Sequence, residues 1–401
     1  MNINTPISKD AKVVIIGAGA AGLTSALSLH QKGFNNVKVY DAATSAEDLS
    51  VPAPINLGAN VSRVYDQLGL LEPLMNAGKR WKSATIRTAS GTTLAYMNCE
   101  KIHSHCGYWP ITTTRANMLN ILHQEIPQHW FNYGVNVTEI IDQGDQVKIC
   151  RDDKQDEYAE LVIVANGFYS KFRSQVMGDT KIRRDGNTSI QTLIPADKLS
   201  ARSLAPLRDS FTEVVCKEGS IGYSMNSEDS LNMFFNIPLS DLRQGSTSEQ
   251  TLDVIKSKFK YLGSPVREII AAINSDDLIS YEPKDRKISQ GWSKGRMVLV
   301  GDAAHPAFQY TGQGAAMGME SALVLATMLD TNKPLTQALN DYESHRLQRI
   351  KVVHGESYKG KVVFGLSNPA LRMVRNLVMS ILPKSLMSKP IQKIHTDCFL
   401  P

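Results

Sequence analysis

Residues 12–22 read KVVIIGAGAAG. Lys12 to Ile16 is a short β-branched run that ends in glycine. Leu23 to Lys32 continues with apolar residues at helical intervals, so the stretch reads as strand, tight turn and helix. Val37 to Tyr40 forms a second strand, which completes a βαβ unit of the size of a mononucleotide-binding half. Gly17, Gly19 and Gly22, with Ala20 and Ala21 between them, allow a tight turn, close approach of backbone to a pyrophosphate, and close packing of helix on strand. Asp41 closes the second strand 19 residues after Gly22, where a carboxylate can accept ribose hydroxyls. The spacing predicts a dinucleotide site, and the loop alone suits FAD and NAD equally.

Further along, residues 60–77 and 115–129 carry apolar residues at helical intervals. Ala84 to Arg87, Val135 to Ile140, Val147 to Cys150 and Leu161 to Ala165 read as extended. Between 181 and 290 the texture changes to short alternating segments, Ser189 to Ile194, Ser220 to Asn226 and Leu231 to Ile237, separated by polar turns, with one helix near 249–261. This predicts an inserted, largely antiparallel sheet. Met297 to Val300 returns to a buried strand, and Gln313 to Met328 reads as a helix, so the nucleotide domain is discontinuous.

Residues 298–320, VLVGDAAHPAFQYTGQGAAMGME, decide the cofactor. A strand ends in Gly301-Asp302, and a glycine-rich turn, Thr311 to Gly314, opens a helix. A carboxylate fixed at a strand end can hold the ribityl hydroxyls of a flavin, and a helix N-terminus can face its pyrimidine edge. An NAD dehydrogenase has no need of this second element. Here the chain resembles the group A flavoprotein monooxygenases, aromatic hydroxylases built like p-hydroxybenzoate and salicylate hydroxylases. The likeness also runs through Asn60 to Gly69 (NVSRVYDQLG) and through Arg115 ahead of Leu119 and Leu122.

The resemblance implies an α/β fold: a Rossmann-type FAD-binding domain (1–180 with 285–350, including part of the substrate sheet near 80–112), an inserted mixed, largely antiparallel substrate sheet (181–284), and a C-terminal helical segment (351–401). It implies FAD as cofactor, NADH or NADPH as electron donor, and O2 transferred through a flavin C4a-hydroperoxide to an aromatic or polyketide-like small molecule. Asp302 then resembles the ribityl ligand, Arg115 the arginine near the diphosphate, and Asp41 the adenosine ribose ligand. Gly301, Gly312, Gln313, Gly314 and Ala315 belong to the same cofactor site.

Three departures from the family stand out. In LVIVANGFYSKFR (161–173) Asn166 replaces the usual aspartate, while Gly167, Ser170 and Arg173 are in place; an amide keeps the acceptor oxygen and loses the charge. Gln309, followed by Tyr310, stands where a proline usually closes over the flavin. Val51 to Ile55 (VPAPI) occupies a loop where relatives carry glycines, stiffened by Pro52 and Pro54. Asn166 and Gln309 leave open a flavin oxidase, dehydrogenase or epoxidase-like enzyme on the same fold, or an inactive FAD-binding paralogue.

Period-two alternation puts Ile221, Tyr223 and Met225 on one face of a strand, and Met233, Phe235 and Ile237 on one face of its neighbour. If these faces roof the flavin, the pocket is mainly apolar, with Gln309 and Tyr310 at its edge and Tyr223 able to meet a phenol. The alternative is that they are core residues under the sheet. Gln309, Tyr223 and His105 are the candidate catalytic side chains. Cys99, His103, His105 and Cys106 lie close together on a predicted sheet edge, but lack the Cys-x2-Cys pairing of zinc sites, so no metal is expected. His305 reads as support for the flavin loop.

Charged residues make up 21% of the chain and the formal net charge is +5; with no dense Lys/Arg block this gives no case for nucleic acid. Five scattered cysteines argue against a disulfide framework and for a reducing cytoplasm. The first ten residues are polar and lead directly into a strand, leaving no room for a leader, and no apolar run is long enough to span a membrane. The C-terminal stretch 368–394 has apolar residues at helical spacing among Arg372, Arg375, Lys384, Lys389 and Lys393. It reads as helix packed back on the body and interrupted by Pro383 and Pro390, in preference to a membrane-surface helix. Monomer and homodimer both remain open.

Overall fold

In a computed structural model, residues 3–49, 51, 53–178, 180–366, 368–397 and 400 are described. Pro52 and Cys398 lie outside them. The β-branched runs form the centre of a six-stranded sheet, ordered Ser293–Lys294, Met297–Leu299, Leu161–Val164, Val13–Ile16, Val37–Asp41 and Phe131–Tyr133 among the described residues. All pairings are parallel except that of Ser293–Lys294. Val13–Ile16 and Leu161–Val164 are buried throughout, as an uninterrupted apolar strand must be when both faces are covered. Helices Ala20–Gln31 and Gly314–Leu329 pack side by side.

A seven-stranded sheet runs in the order Ile279–Tyr281, Asn187–Pro195, Ser230–Pro238, Ser220–Met225, Ser210–Val215, Ser83–Thr88 and Thr93–Asn98. It is antiparallel except where Ser210–Val215 meets Ser83–Thr88 in parallel, the seam between the inserted strands and those near 80–112. Helices Ser248–Phe259 and Val266–Ala271 bury one of its faces.

The predicted helix 60–77 is two helices, Ala59–Gln67 and Leu71–Asn76. Residue 350, where the sequence reading divides the chain, lies inside one helix, Leu335–Phe364. The C-terminal stretch folds as Pro369–Ile381 and Lys384–Thr396. Pro383 caps the second helix and Pro390 lies within it, so only Pro383 interrupts. The second helix buries Ser388, Ile394 and His395, whereas the first leaves Leu371, Leu377 and Ile381 exposed. Among the described residues no helix is long and apolar enough to cross a membrane.

Candidate flavin and substrate site

The glycine loop is held by its own geometry and by Asp41. Gly17 has φ +105°, and a Cβ on Gly22 would stand 1.8 Å from the Gly17 carbonyl oxygen, so the turn can be this tight only with glycine at both positions. One Asp41 carboxylate oxygen accepts the Ala18 amide at 2.7 Å and the other the Ala43 amide at 2.9 Å. The carboxylate is thereby fixed at the strand end with lone pairs to spare. Gly19 precedes helix Ala20–Gln31 without a side-chain cap, which leaves the N–H groups of the first turn, with Ala20 and Ala21, open to a phosphate. Arg115 starts its helix and reaches over the loop, a guanidinium nitrogen 4.0 Å from the Cβ position of Gly19. Asn166 follows Leu161–Val164, and its backbone abuts Gly17.

The second motif lies across the same groove. Asp302 follows strand Met297–Leu299 and is exposed; desolvation by the surrounding protein pushes its pKa up, partly countered by Arg115. Arg173 donates to the Ala303 and Ala304 carbonyls at 2.6 Å each, fixing the turn after Asp302. His305 is buried, its Nε2 3.0 Å from the Ser321 hydroxyl. Burial, helped by Arg346, lowers its pKa to about 3, so it is a neutral support for this turn. Gln313 precedes helix Gly314–Leu329, again without a side-chain cap. Its Oε1 accepts from Asn60 at 2.8 Å, and Asn60 also donates to Glu320 at 2.7 Å. Glu320 is fully buried, and burial alone would raise its pKa; Arg346 at 2.8 Å and Arg349 at 3.0 Å overcome this and bring it to about 2. This network, absent from the sequence reading, locks the helix start that faces the groove.

The residues present fit FAD. The cradle at Gly17 and Gly22 admits only backbone, helices Ala20–Gln31 and Gly314–Leu329 both begin without a side-chain cap, and Thr311 Oγ1 is a buried oxygen with no partner on the wall where a flavin ring would lie. Gly17, Gly19, Ala20 to Gly22, Asp41 and Arg115 would hold the adenosine diphosphate. Asp302 would hold the ribityl chain, and Gly312 to Ala315 the ring.

Beyond Gly312 to Ala315 opens a cavity of 390 Å³, bounded by the seven-stranded sheet, by Pro54 to Asn56 and by the C-terminal helix through Met387, Ile391 and His395. Gln309 and Tyr310 line it as predicted by their place in the loop. Gln309 accepts from the Tyr281 hydroxyl and donates to Asn236 Oδ1 at 2.6 Å, which ties the flavin loop to the sheet. Tyr310 donates to Asp185 at 3.0 Å.

Of the two readings of the sheet face, the structure supports the core and corrects the pocket roof. Ile221, Tyr223, Met225, Met233 and Phe235 are buried in a core against Leu252, Ile255 and Phe259, on the side away from the cavity. The alternation is as read, and the opposite phase faces the cavity: it is lined by the intervening residues Asn232, Phe234 and Asn236, and by Phe211 and Glu213 of strand Ser210–Val215. Tyr223 accepts from Arg87 and does not line this cavity, so it is no candidate for a phenol partner there.

The chain is similar to known proteins. Residues 10–357 match the family model described as FAD binding domain. The chain belongs to this FAD-binding family. The FAD-dependent urate hydroxylase of Klebsiella pneumoniae is 27% identical over 85% of this chain and 87% of its own. The 3-amino-4-hydroxybenzoate 2-monooxygenase PtmB3 of Streptomyces platensis is 28% identical over 92% of each. Among solved structures, Klebsiella pneumoniae HpxO complexed with FAD and uric acid superimposes with TM-score 0.87 at 22% identity, covering 96% of both chains. A salicylate hydroxylase substrate complex gives 0.76 at 19%, covering 98% of this chain and 99% of its own. FAD is the cofactor of this family member, and the fold is that of the aromatic hydroxylases.

The histidine and cysteine cluster lies on a helix, Cys99–Cys106, where the sequence reading placed a sheet edge. His105 is exposed and does not line the cavity, which removes it from the catalytic candidates. His103 stacks on Trp109 with centroids 4.3 Å apart, and burial pushes the Cys99 thiol up to about 12. Among the described residues no three His, Cys, Asp or Glu side chains gather as a metal site.

Proposed function

We propose that this FAD-dependent monooxygenase binds an aromatic or polyketide-like small molecule in the cavity beside Gly312 to Ala315 and hydroxylates it, with NADH or NADPH as electron donor and O2 as co-substrate. The observation that carries the reading is that Ala307 to Ala315, the turn that follows Asp302, forms one wall of a cavity of 390 Å³, a volume typical of small-molecule sites. Bound FAD supplies the activation of O2. The chain's own residues bind, orient and exclude water. Phe211 and Phe234, whose ring centroids lie 6.2 Å apart, offer stacking surfaces for a ring. The Gln309 bridge to Asn236 and Tyr281 holds the loop between flavin and substrate. Relatives whose names specify ring hydroxylation, of urate and of 3-amino-4-hydroxybenzoate, support this chemistry. A cytoplasmic setting agrees with free thiols at Cys99, Cys106, Cys150 and Cys216.

The test is a panel of aromatic compounds scored by stimulated NADH and NADPH oxidation, with product mass as the second readout. A product that gains one oxygen atom supports hydroxylation. A product that loses two hydrogens identifies a dehydrogenase, and NAD(P)H oxidation with no organic product for any stimulating compound refutes oxygen transfer.

A further inference from the structure

The cavity wall carries a polarity that the flavin does not use. A cross-strand row runs Ile86, Glu213, Gly222, Phe234, Gln191. A Cβ on Gly222 would meet the Phe234 ring at 2.0 Å, so the missing side chain lets that ring lie over the strand beside Glu213 as an apolar floor. Glu213 lines the cavity, with the Ser220 hydroxyl as its hydrogen-bond partner; burial raises its pKa and Ser220 counters this in part. Nearby, Asn232 is 2% exposed and donates to Asn56 Oδ1 at 3.2 Å, while its own Oδ1 has no hydrogen-bond partner. A buried acceptor left without a partner is unfavourable, and a donor on a ligand would relieve it. Among the described residues lining the cavity none is Lys or Arg, and Glu213 is the one carboxylic acid. His395 is kept neutral by burial and by Arg349, its pKa lowered to about 4.

We propose that the cavity selects an uncharged or cationic aromatic ring bearing N–H donors, with Asn232 and Glu213 as the specificity-determining acceptors, and rejects rings that carry a carboxylate. A carboxylate would enter a cavity with no cation to pair it and would face Glu213, whereas an N–H satisfies an acceptor already buried. The inference deepens the function proposed above, since it assigns the substrate to the same cavity.

Binding is measured on the FAD-loaded enzyme by perturbation of the flavin absorbance, without NAD(P)H, for two matched pairs: 4-quinolone with 4-quinolone-2-carboxylate, and indole with indole-2-carboxylate. The expected result is that each neutral member binds at least about tenfold more tightly than its carboxylate, the scale of one buried charge or hydrogen bond. Asn232→Leu should weaken the neutral members about tenfold at unchanged FAD content, and Glu213→Gln should shrink the neutral-to-carboxylate ratio by a similar factor. Tighter or equal binding of the carboxylates, no binding of either neutral ring, or an unchanged ratio in Glu213→Gln would overturn it. Binding in the expected order without any oxygenated product would leave the selectivity standing and refute the monooxygenase reading alone.

Discussion

The two ends of the groove recognise their ligands by different means. At the adenosine end most contacts would come from backbone, the Gly17–Gly22 turn and the first turn of Ala20–Gln31, with only the side chains of Asp41, tied to the Ala18 amide, and Arg115 beside them. At the cavity end they come from side chains on a sheet, where Phe211, Glu213, Asn232 and Phe234 face inward. A backbone site tolerates almost no change at its glycines and accepts many residues elsewhere. A side-chain site depends on which of two alternating faces is turned to the ligand, and each position can be altered singly.

The largest expected effect breaks the backbone end. Gly22→Val would drive a side chain into the Gly17 carbonyl, 1.8 Å from the Cβ position, and the protein should elute from gel filtration without FAD. Stoichiometric retention of FAD by this variant would show that the loop does not hold the cofactor.

The next effect separates the two sheet faces with neighbouring residues. Phe235 is fully buried and packs on Phe259 with centroids 5.7 Å apart, so Phe235→Ala should cost about 3–5 kcal/mol in denaturant unfolding. Its kcat/KM per folded enzyme should hardly change. Phe234→Ala, on the cavity side, should cost less stability and raise KM for whichever ring compound is turned over. The reverse pattern would restore the reading of Ile221, Tyr223, Met233 and Phe235 as the pocket roof.

The smallest effect compares the histidines at the two ends. His305 beneath the Asp302 turn and His395 on the cavity wall are both buried neutral, with pKa lowered to about 3 and about 4 by burial first and by Arg346 and Arg349 second. Unfolded histidines take up a proton near pH 6.5, as a roughly typical value. Between pH 6.5 and 5 the unfolded chain therefore binds more protons, and stability falls as pH drops. The unfolding free energy should decline across that window, and less steeply in His395→Asn, whose wild-type Nδ1 accepts the Ala59 amide at 3.3 Å. A flat profile in the wild type would mean that neither ring is held neutral.

Much of the fold was legible because strand and helix periods are local: KVVIIGAGAAG and the Gly301 to Gly314 stretch each carry strand, turn and helix within a few residues. The Asp41 position was legible for the same reason, since it needs only a count along one βαβ unit. The Asn60–Gln313–Glu320–Arg346–Arg349 network was not, because its members are far apart in sequence and each reads alone as a helix-surface polar residue. His105 misled because ligand-type residues at short spacing say nothing about which way a helix turns them.

By itself the sequence determined the α/β architecture, the FAD site and the alternation of the inserted strands, since backbone conformation and side-chain period follow from neighbouring residues. Only the tertiary structure decided which face of that sheet lines the cavity. Alternation has two phases of equal local merit, and the helices Ser248–Phe259 and Val266–Ala271 settle the matter by taking the apolar phase as their core. That leaves Glu213, Asn232 and Phe234 to line the cavity.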